Sequence, residues 1–228
     1  MTFSVIIPSC NAANLLPCIE AVRRNEPDAP ITVVSDGLDR RTVNKYWIER
    51  NQPIAVIEGV TPFVYARNIN VGIRAARSLW NEPEAFVLLN DDAVLMTPSG
   101  FTRVAGLAEE HPEYGVISAA TNFVGNHAQL IRNEGFREEP NTLCFVCVLV
   151  TAQAIEAVGL LDERFTAYGW EDNDFCRRCR LEHLKLGIYD LCFVDHTALF
   201  SSFRGDPTAS RDIAPGARIY LNKWGDLA

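Results

Sequence analysis

Four consecutive apolar residues, Phe86-Val87-Leu88-Leu89, run directly into Asn90-Asp91-Asp92. A run without polar alternation suits a strand buried on both faces, the kind found in parallel sheets covered by helices. The two carboxylates then fall where the strand leaves the sheet, and open α/β sheets bind their ligands at that edge. Adjacent acids cannot be buried there cheaply without a partner, so a cation is expected, and hard oxygen donors suit Mg²⁺ or Mn²⁺ carrying substrate phosphates. An exposed acidic turn with no ligand fits the same two residues. The rest of the chain has to decide between these readings.

The N-terminal part repeats the pattern. Residues 4–8 read as an apolar strand, Ser9-Cys10-Asn11 as a turn able to cap a helix over 13–24, and residues 31–35 as a second strand ending at Asp36-Gly37. A polar helix over 40–50 leads to a third strand at 54–57. Two βα units in succession predict a mainly parallel, doubly wound sheet. A helix from Tyr65 carries Arg67, Asn68 and Asn70 in its first turns. Further on, the pattern predicts a helix over 101–110, a strand over 116–119, a loop or hairpin across the polar stretch 121–141, a strand over 145–150 and a helix over 152–158. Glu171, Asp172 and Asp174 crowd the start of another helix reaching to 183, where the helix dipole favours anions. One of them would serve as a cap, which leaves the others, beside Trp170 in a glycine-rich lead-in, to be explained. A last strand over 188–194 ends in Asp195-His196, and the stretch beyond Ser201, punctuated by Gly205, Pro207, Pro215 and Gly216, reads as a loop-like, mobile tail.

At 228 residues the chain suits one domain with one sizeable core, and no linker or repeat marks a second. The net charge of −8 argues against nucleic acid or an anionic membrane as a partner. No segment approaches the roughly 18 apolar residues of a membrane span. Met1-Thr2-Phe3-Ser4 lacks the basic start of a signal peptide, so a cytoplasmic location is expected. The seven cysteines fit that setting as free, mostly buried thiols. Cys144 and Cys147 would lie on opposite faces of one strand, and Cys176 and Cys179 sit among arginines, so neither pair reads as a zinc site.

Taken in order, these landmarks resemble the family 2 glycosyltransferases, inverting enzymes of the GT-A fold. The resemblance spans about the first 200 residues and rests on Val5-Ile6-Ile7-Pro8-Ser9-Cys10-Asn11, Val33-Val34-Ser35-Asp36-Gly37, Leu89-Asn90-Asp91-Asp92, Gly159-Leu160-Leu161-Asp162-Glu163-Arg164-Phe165 and Trp170-Glu171-Asp172-Asn173-Asp174. Cys10 stands where an aromatic is commoner, and Asn90 where many members have an acid. The resemblance implies a single GT-A domain over 1–200, with a nucleotide-binding half over about 1–95 and an acceptor and catalytic half over about 96–200; the glycine- and proline-punctuated basic tail over 201–228 suits a mobile lid that folds over the diphosphate through Arg204 or Arg211.

The resemblance also implies roles. Pro8, Ser9, Asn11, Asp36, Arg67, Asn90 and Asp91 would bind the nucleotide, with Asp36 accepting from the N3–H of uracil, and either Asn68 or Asn70 would fill the family's asparagine position. Asp92, with Asp91 and His196, would hold Mn²⁺ or Mg²⁺. Asp172 would be the general base beside Glu171, and Gly169, Trp170 and Asp174 would shape the sugar and acceptor pocket. The implied reaction is transfer of a sugar, a hexose by class, from a nucleotide-diphosphate donor to an acceptor hydroxyl. Uracil recognition favours UDP, and dTDP presents the same edge. The sequence names neither sugar, acceptor nor oligomeric state. Two other readings keep the strand-end acids: a sugar-phosphate nucleotidyltransferase, whose glycine-rich basic loop is absent after the first strand, and a non-catalytic nucleotide-sugar-binding module.

Overall fold

The computed structural model describes residues 1–38, 53–166, 169–199 and 213–226. In chain order the elements are β1 (Phe3–Ser9), α1 (Ala12–Asn25), β2 (Ile31–Ser35), β3 (Ile54–Glu58), α2 (Tyr65–Leu79), β4 (Ala85–Leu89), β5 (Val94–Leu95), α3 (Gly100–Glu110), β6 (Tyr114–Thr121), β7 (Phe136–Glu138), β8 (Cys147–Thr151), α4 (Ala152–Val158), α5 (Glu171–Leu181), β9 (Lys185–Asp195) and α6 (Ala214–Trp224). The helix expected over 40–50, Tyr168 and the tail residues Arg204 and Arg211 lie outside the described residues.

One sheet runs through both halves in the order β3-β2-β1-β4-β8-β6-β9-β5, with β7 added beside β9. Strands β3, β2, β1 and β4 are parallel, as the βα pattern requires, whereas β8 is antiparallel to both β4 and β6. The chain builds outward from β1 to β3 and then returns to place β4 on the other side of β1. The crevice between the ends of β1 and β4 is therefore the point at which the strand order reverses.

Side chains alternate across this sheet and separate two apolar layers. Val5, Ile7, Val33, Val87 and Leu89 face α1 and α3. Ile6, Val34, Phe86, Leu88 and Val148 face α2, α4 and α5. All five residues of β4 are buried, which is why the run at 85–89 shows no polar alternation. Each fully buried Val, Leu, Ile or Phe contributes about 1.5–3 kcal/mol. Helix α2 approaches so closely that a Cβ at Gly72 would collide with Ile6 and Val34, so this glycine is set by packing.

Three expectations need correction. Residues 144–146 are not strand: the Asn90 N–H still follows the β4–β8 register to the Val146 carbonyl (2.9 Å), but the Val146 N–H closes a tight turn on the Cys144 carbonyl (2.9 Å) and the Phe145 carbonyl accepts from the Tyr65 hydroxyl (3.1 Å), so β8 starts at Cys147. The stretch 121–141 contains a short 3-10 turn at His127–Gln129 and the strand β7, paired with β9. Part of the tail is helix, not loop. Pro215 lies in the first turn of α6, where its missing N–H costs nothing, and Gly225 ends it in the left-handed conformation. All seven cysteines are free, and Cys176 and Cys179 are buried in the core.

Candidate active site

The parallel register decides which side chains meet at the reversal point. Phe3 pairs with Ala85 and Ile6 with Leu88, an offset that carries Ser9 alongside Asp91. The Ser9 hydroxyl donates to Asp91 Oδ2 at 2.5 Å and accepts from the Asn11 N–H at 3.1 Å. Asn11 in turn caps α1, its Oδ1 accepting from the Ala13 N–H. Next door the Asp36 N–H donates to the Ser9 carbonyl at 2.9 Å, and its carboxylate accepts from the Thr61 hydroxyl. Burial pushes Asp91 up to about 7; the Ser9 hydroxyl opposes this and the Asp92 charge adds to it. Cys10, between the two strand ends, feels both Asp91 and Asp36.

A second pairing brings the far end of the sequence to the same edge. β5 follows directly on Asp91-Asp92-Ala93 and runs antiparallel to the end of β9, with Val94 opposite Asp195. His196 thus arrives at Asp92, with Nε2 3.2 Å from Oδ1. Its Nδ1 lies 2.7 Å from the Phe123 carbonyl, which can only accept, so in the neutral ring the proton is on Nδ1 and the Nε2 lone pair faces the carboxylate. Asn122 holds the turn from both sides, accepting from the His196 N–H and donating to Asp195. An imidazole lone pair beside a carboxylate oxygen, with the ring fixed by a carbonyl, is a donor set that fits a divalent ion. Asp91 is turned to Ser9 instead. Among the described residues no group of three His, Cys, Asp or Glu could hold a metal, so an ion here would complete its shell from phosphate oxygens and water.

The third part sits at the start of α5. Gly169 and Trp170 have φ of 84° and 78°, and this left-handed turn aims the first turn of α5 at the 143–146 segment. Asp172 Oδ1 accepts from the Asn173 N–H at 2.8 Å. Burial raises the Asp172 pKa, while N–H groups of Asn173, Phe145 and Trp170 oppose it. Glu171 is raised too, first by burial and then by the Asp172 charge, and its Oε2 is sealed from solvent with no hydrogen-bond partner. The Tyr65 phenol and the Cys144 thiol lie in the field of the same two acids. Since the Asn90 N–H bonds Val146 and Asp172 reaches Phe145, both acid groups stand at the same edge of the sheet.

Other residues singled out in the sequence do structural work. The Asn70 amide donates to the Leu161 carbonyl and Glu163, and Leu161 N–H returns a bond to Asn70 Oδ1, fixing the 159–165 segment on α2. Asn68 Oδ1 accepts from the Val60 N–H and pins the loop before α2; Arg67, next to it, is half-buried. Pro8 is buried opposite Val34, and Asn90 is half-buried at the end of β4. Asp174 is fully buried and binds Arg178 (2.9 Å), Lys223 (2.7 Å) and the Trp224 indole N–H (2.9 Å). Sequence reasoning passed over Tyr65, Thr61, Phe123 and the whole of α6. The Pro215…Gly225 punctuation and the Tyr220/Trp224 spacing were the available signals.

Among the described residues no helix is long and apolar enough to cross a membrane. No match is found among curated proteins. Solved structures that share the architecture include the following three. GalNAc-T7, crystallised with UDP, GalNAc and Mn²⁺, superposes with a TM-score of 0.71 at 12% identity over 86% of this chain and 44% of its own. A mannosyltransferase from Pyrobaculum calidifontis in complex with GDP-Man and Mn²⁺ gives 0.65 at 16% identity, over 84% of this chain and 56% of its own. TarS of S. aureus, residues 1–349, gives 0.62 at 17%, over 83% and 58%. The chain therefore spans about half the length of the solved structures it matches. These likenesses establish the GT-A fold. The glycosyl transferase family 2 model matches residues 4–155, a stretch that runs from within β1 into the first turn of α4 and includes every strand-end acid of the first half, and the chain belongs to that family.

Proposed function

We propose that this chain transfers a sugar from a nucleotide-diphosphate donor to an acceptor hydroxyl with inversion at the anomeric carbon. One observation carries the reading: a fixed Asp92/His196 pair and a half-buried Glu171/Asp172 pair occupy one edge of the sheet, as two separate acid centres. Single displacement needs these two centres, one for the departing diphosphate and one for the acceptor proton.

Asp172 is the base in this scheme. The acceptor hydroxyl gives its proton to Asp172 as its oxygen attacks the anomeric carbon, and the bond from that carbon to the diphosphate oxygen breaks with its electron pair leaving on the nucleotide. A carboxylate with a raised pKa is a stronger proton acceptor than an ordinary one, and burial raises that of Asp172. Asp92 and His196 would hold Mn²⁺ or Mg²⁺, which when bound neutralises charge on the leaving diphosphate as a Lewis acid. Asp36 and Thr61 fit the base of the nucleotide, and Ser9, Asn11 and Asp91 the ribose side of the crevice. The solved neighbours hold UDP with Mn²⁺ in one case and GDP-Man with Mn²⁺ in another, which supports a nucleotide-sugar donor and a divalent ion. UDP is favoured by the Asp36 carboxylate, an acceptor for a pyrimidine N3–H.

The test is release of nucleoside diphosphate from a panel of UDP-, dTDP- and GDP-hexoses, with and without Mn²⁺ or Mg²⁺. Metal-dependent release from one nucleotide class, lost in Asp172→Asn, supports the reading. Release of pyrophosphate from a nucleoside triphosphate and a sugar phosphate, with no diphosphate from any donor, would contradict it.

A further inference from the structure

Helix α6 returns from the end of the chain to pack on the turn that precedes the acid pair of α5. Gly216, buried in its first turn, lies so close that a Cβ there would stand 2.5 Å from the Gly169 carbonyl oxygen and 3.0 Å from Trp170 Cδ1. Tyr220, one turn on, is fully buried with its ring 5.0 Å from that of Trp170. One further turn on, Lys223 bridges Asp174 (2.7 Å) and Asp162 (2.8 Å) while the Trp224 indole N–H takes Asp174 Oδ1. A tryptophan in the left-handed region is costly for an L-residue and persists only where its surroundings over-determine it. Here α6 supplies those surroundings, touching the turn on one side of Asp172 and Asp174 on the other.

We infer that α6 is a positioning element of the catalytic centre: Gly216 seats the Gly169–Trp170 turn and Lys223 anchors Asp174, so that Asp172 is held facing the acceptor. The inference rests on Asp172 being the base. Its consequence is that a helix some forty residues distant in sequence sets turnover without contacting donor or acceptor.

Gly216→Ala separates this role from simple helix stability, because alanine improves the intrinsic propensity of α6 and any loss must come from the displaced turn. Two readouts are taken. Hydrogen exchange of the amides over 169–175 is expected to rise at least tenfold, with those of β1 and β4 unchanged. In turnover, kcat is expected to fall at least tenfold with the donor KM within twofold, a split that general destabilisation does not produce. Lys223→Met provides the second variant should Gly216→Ala fail to fold, with Lys223→Arg restoring at least half of the turnover; Arg218→Ala, on the exposed side of α6, serves as the unaffected control. Unchanged exchange over 169–175 in both Gly216→Ala and Lys223→Met overturns the inference, as does a matching rise in donor KM. Exchange does not depend on catalysis, so a wild-type protein that turns over no nucleotide sugar would defeat the proposed function and leave the positioning result legible.

Discussion

The two acid centres are held in different ways. In the N-terminal half, Ser9, Asp36 and Asp91 stand at or just past the ends of adjacent parallel strands; the strand register brings them together and the Ser9 and Thr61 hydroxyls hold the two carboxylates. In the other half, Asp172 sits on the first turn of a helix whose direction depends on a strained turn at 169–170 and on side chains from α6. Ladder hydrogen bonds between buried strands resist displacement collectively. A helix start clamped by a few side chains can be moved by one substitution. The lesson is that the proposed donor crevice is built mainly by topology and the proposed base is positioned by tertiary contacts made late in the chain.

The sharpest break of this contrast comes at the base itself. Asp172→Asn is expected to lower sugar transfer by about 10²–10⁴-fold, the usual contribution of a positioned general base, with donor affinity unaltered. Steady-state kinetics with separate kcat and KM values decide it. Next in size is Asp174→Ala, which takes from Arg178 and Lys223 the buried carboxylate they share and leaves Lys223 with Asp162 alone. Breaking a buried pair in this way costs about 3–5 kcal/mol, read from urea denaturation, and nucleotide binding to whatever remains folded should be preserved. His196→Ala attacks the other region: a loss of order 10²-fold in metal-stimulated turnover is expected, with no change in urea midpoint beyond that of a surface residue.

The smallest effect concerns pH. Burial raises both Glu171 and Asp172, and the Asp172 charge raises Glu171 further, so the folded protein binds protons more tightly than the unfolded chain. Stability from this pair is complete below the ordinary carboxylate range and declines as pH rises from there through the raised values. Glu171→Gln removes one charge and should make the protein more stable than wild type by roughly 1–2 kcal/mol at pH 8 and nearly equal at pH 4. Thermal melts across pH 4–8 measure it. Equal melting shifts at both ends would mean that the pair is hydrated and ordinary.

These differences also explain what could be read in advance. The apolar run at 85–89, the turn at Ser9-Cys10-Asn11 and the acid after β2 are local patterns, and the parallel half of the sheet followed from them. The start of β8 could not be placed, because the strand gives way before Cys147 to a tight turn whose Phe145 carbonyl is taken by Tyr65, a residue eighty positions away. Asp174 illustrates the same limit. Beside two other acids in the sequence it looks like part of a pocket; only the fold shows it paired with Arg178, Lys223 and Trp224. Pro215 and Gly216 read as loop punctuation in the sequence, yet both lie in the first turn of a helix that Gly225 ends. The same residues punctuate both, and the Tyr220/Trp224 stripe that distinguishes them needs a surface to pack on before it has meaning.

The most direct measurement is a crystal structure of the protein with a nucleoside diphosphate and Mn²⁺, using the anomalous signal to find the ion. The expected result is a peak within coordination distance, about 2.0–2.4 Å, of Asp92 Oδ1 and His196 Nε2 and bridging the diphosphate, with Asp172 across the open space where the sugar would lie. A peak remote from Asp92, or a diphosphate bound on the same side as Asp172, would contradict the separation of the two acid centres.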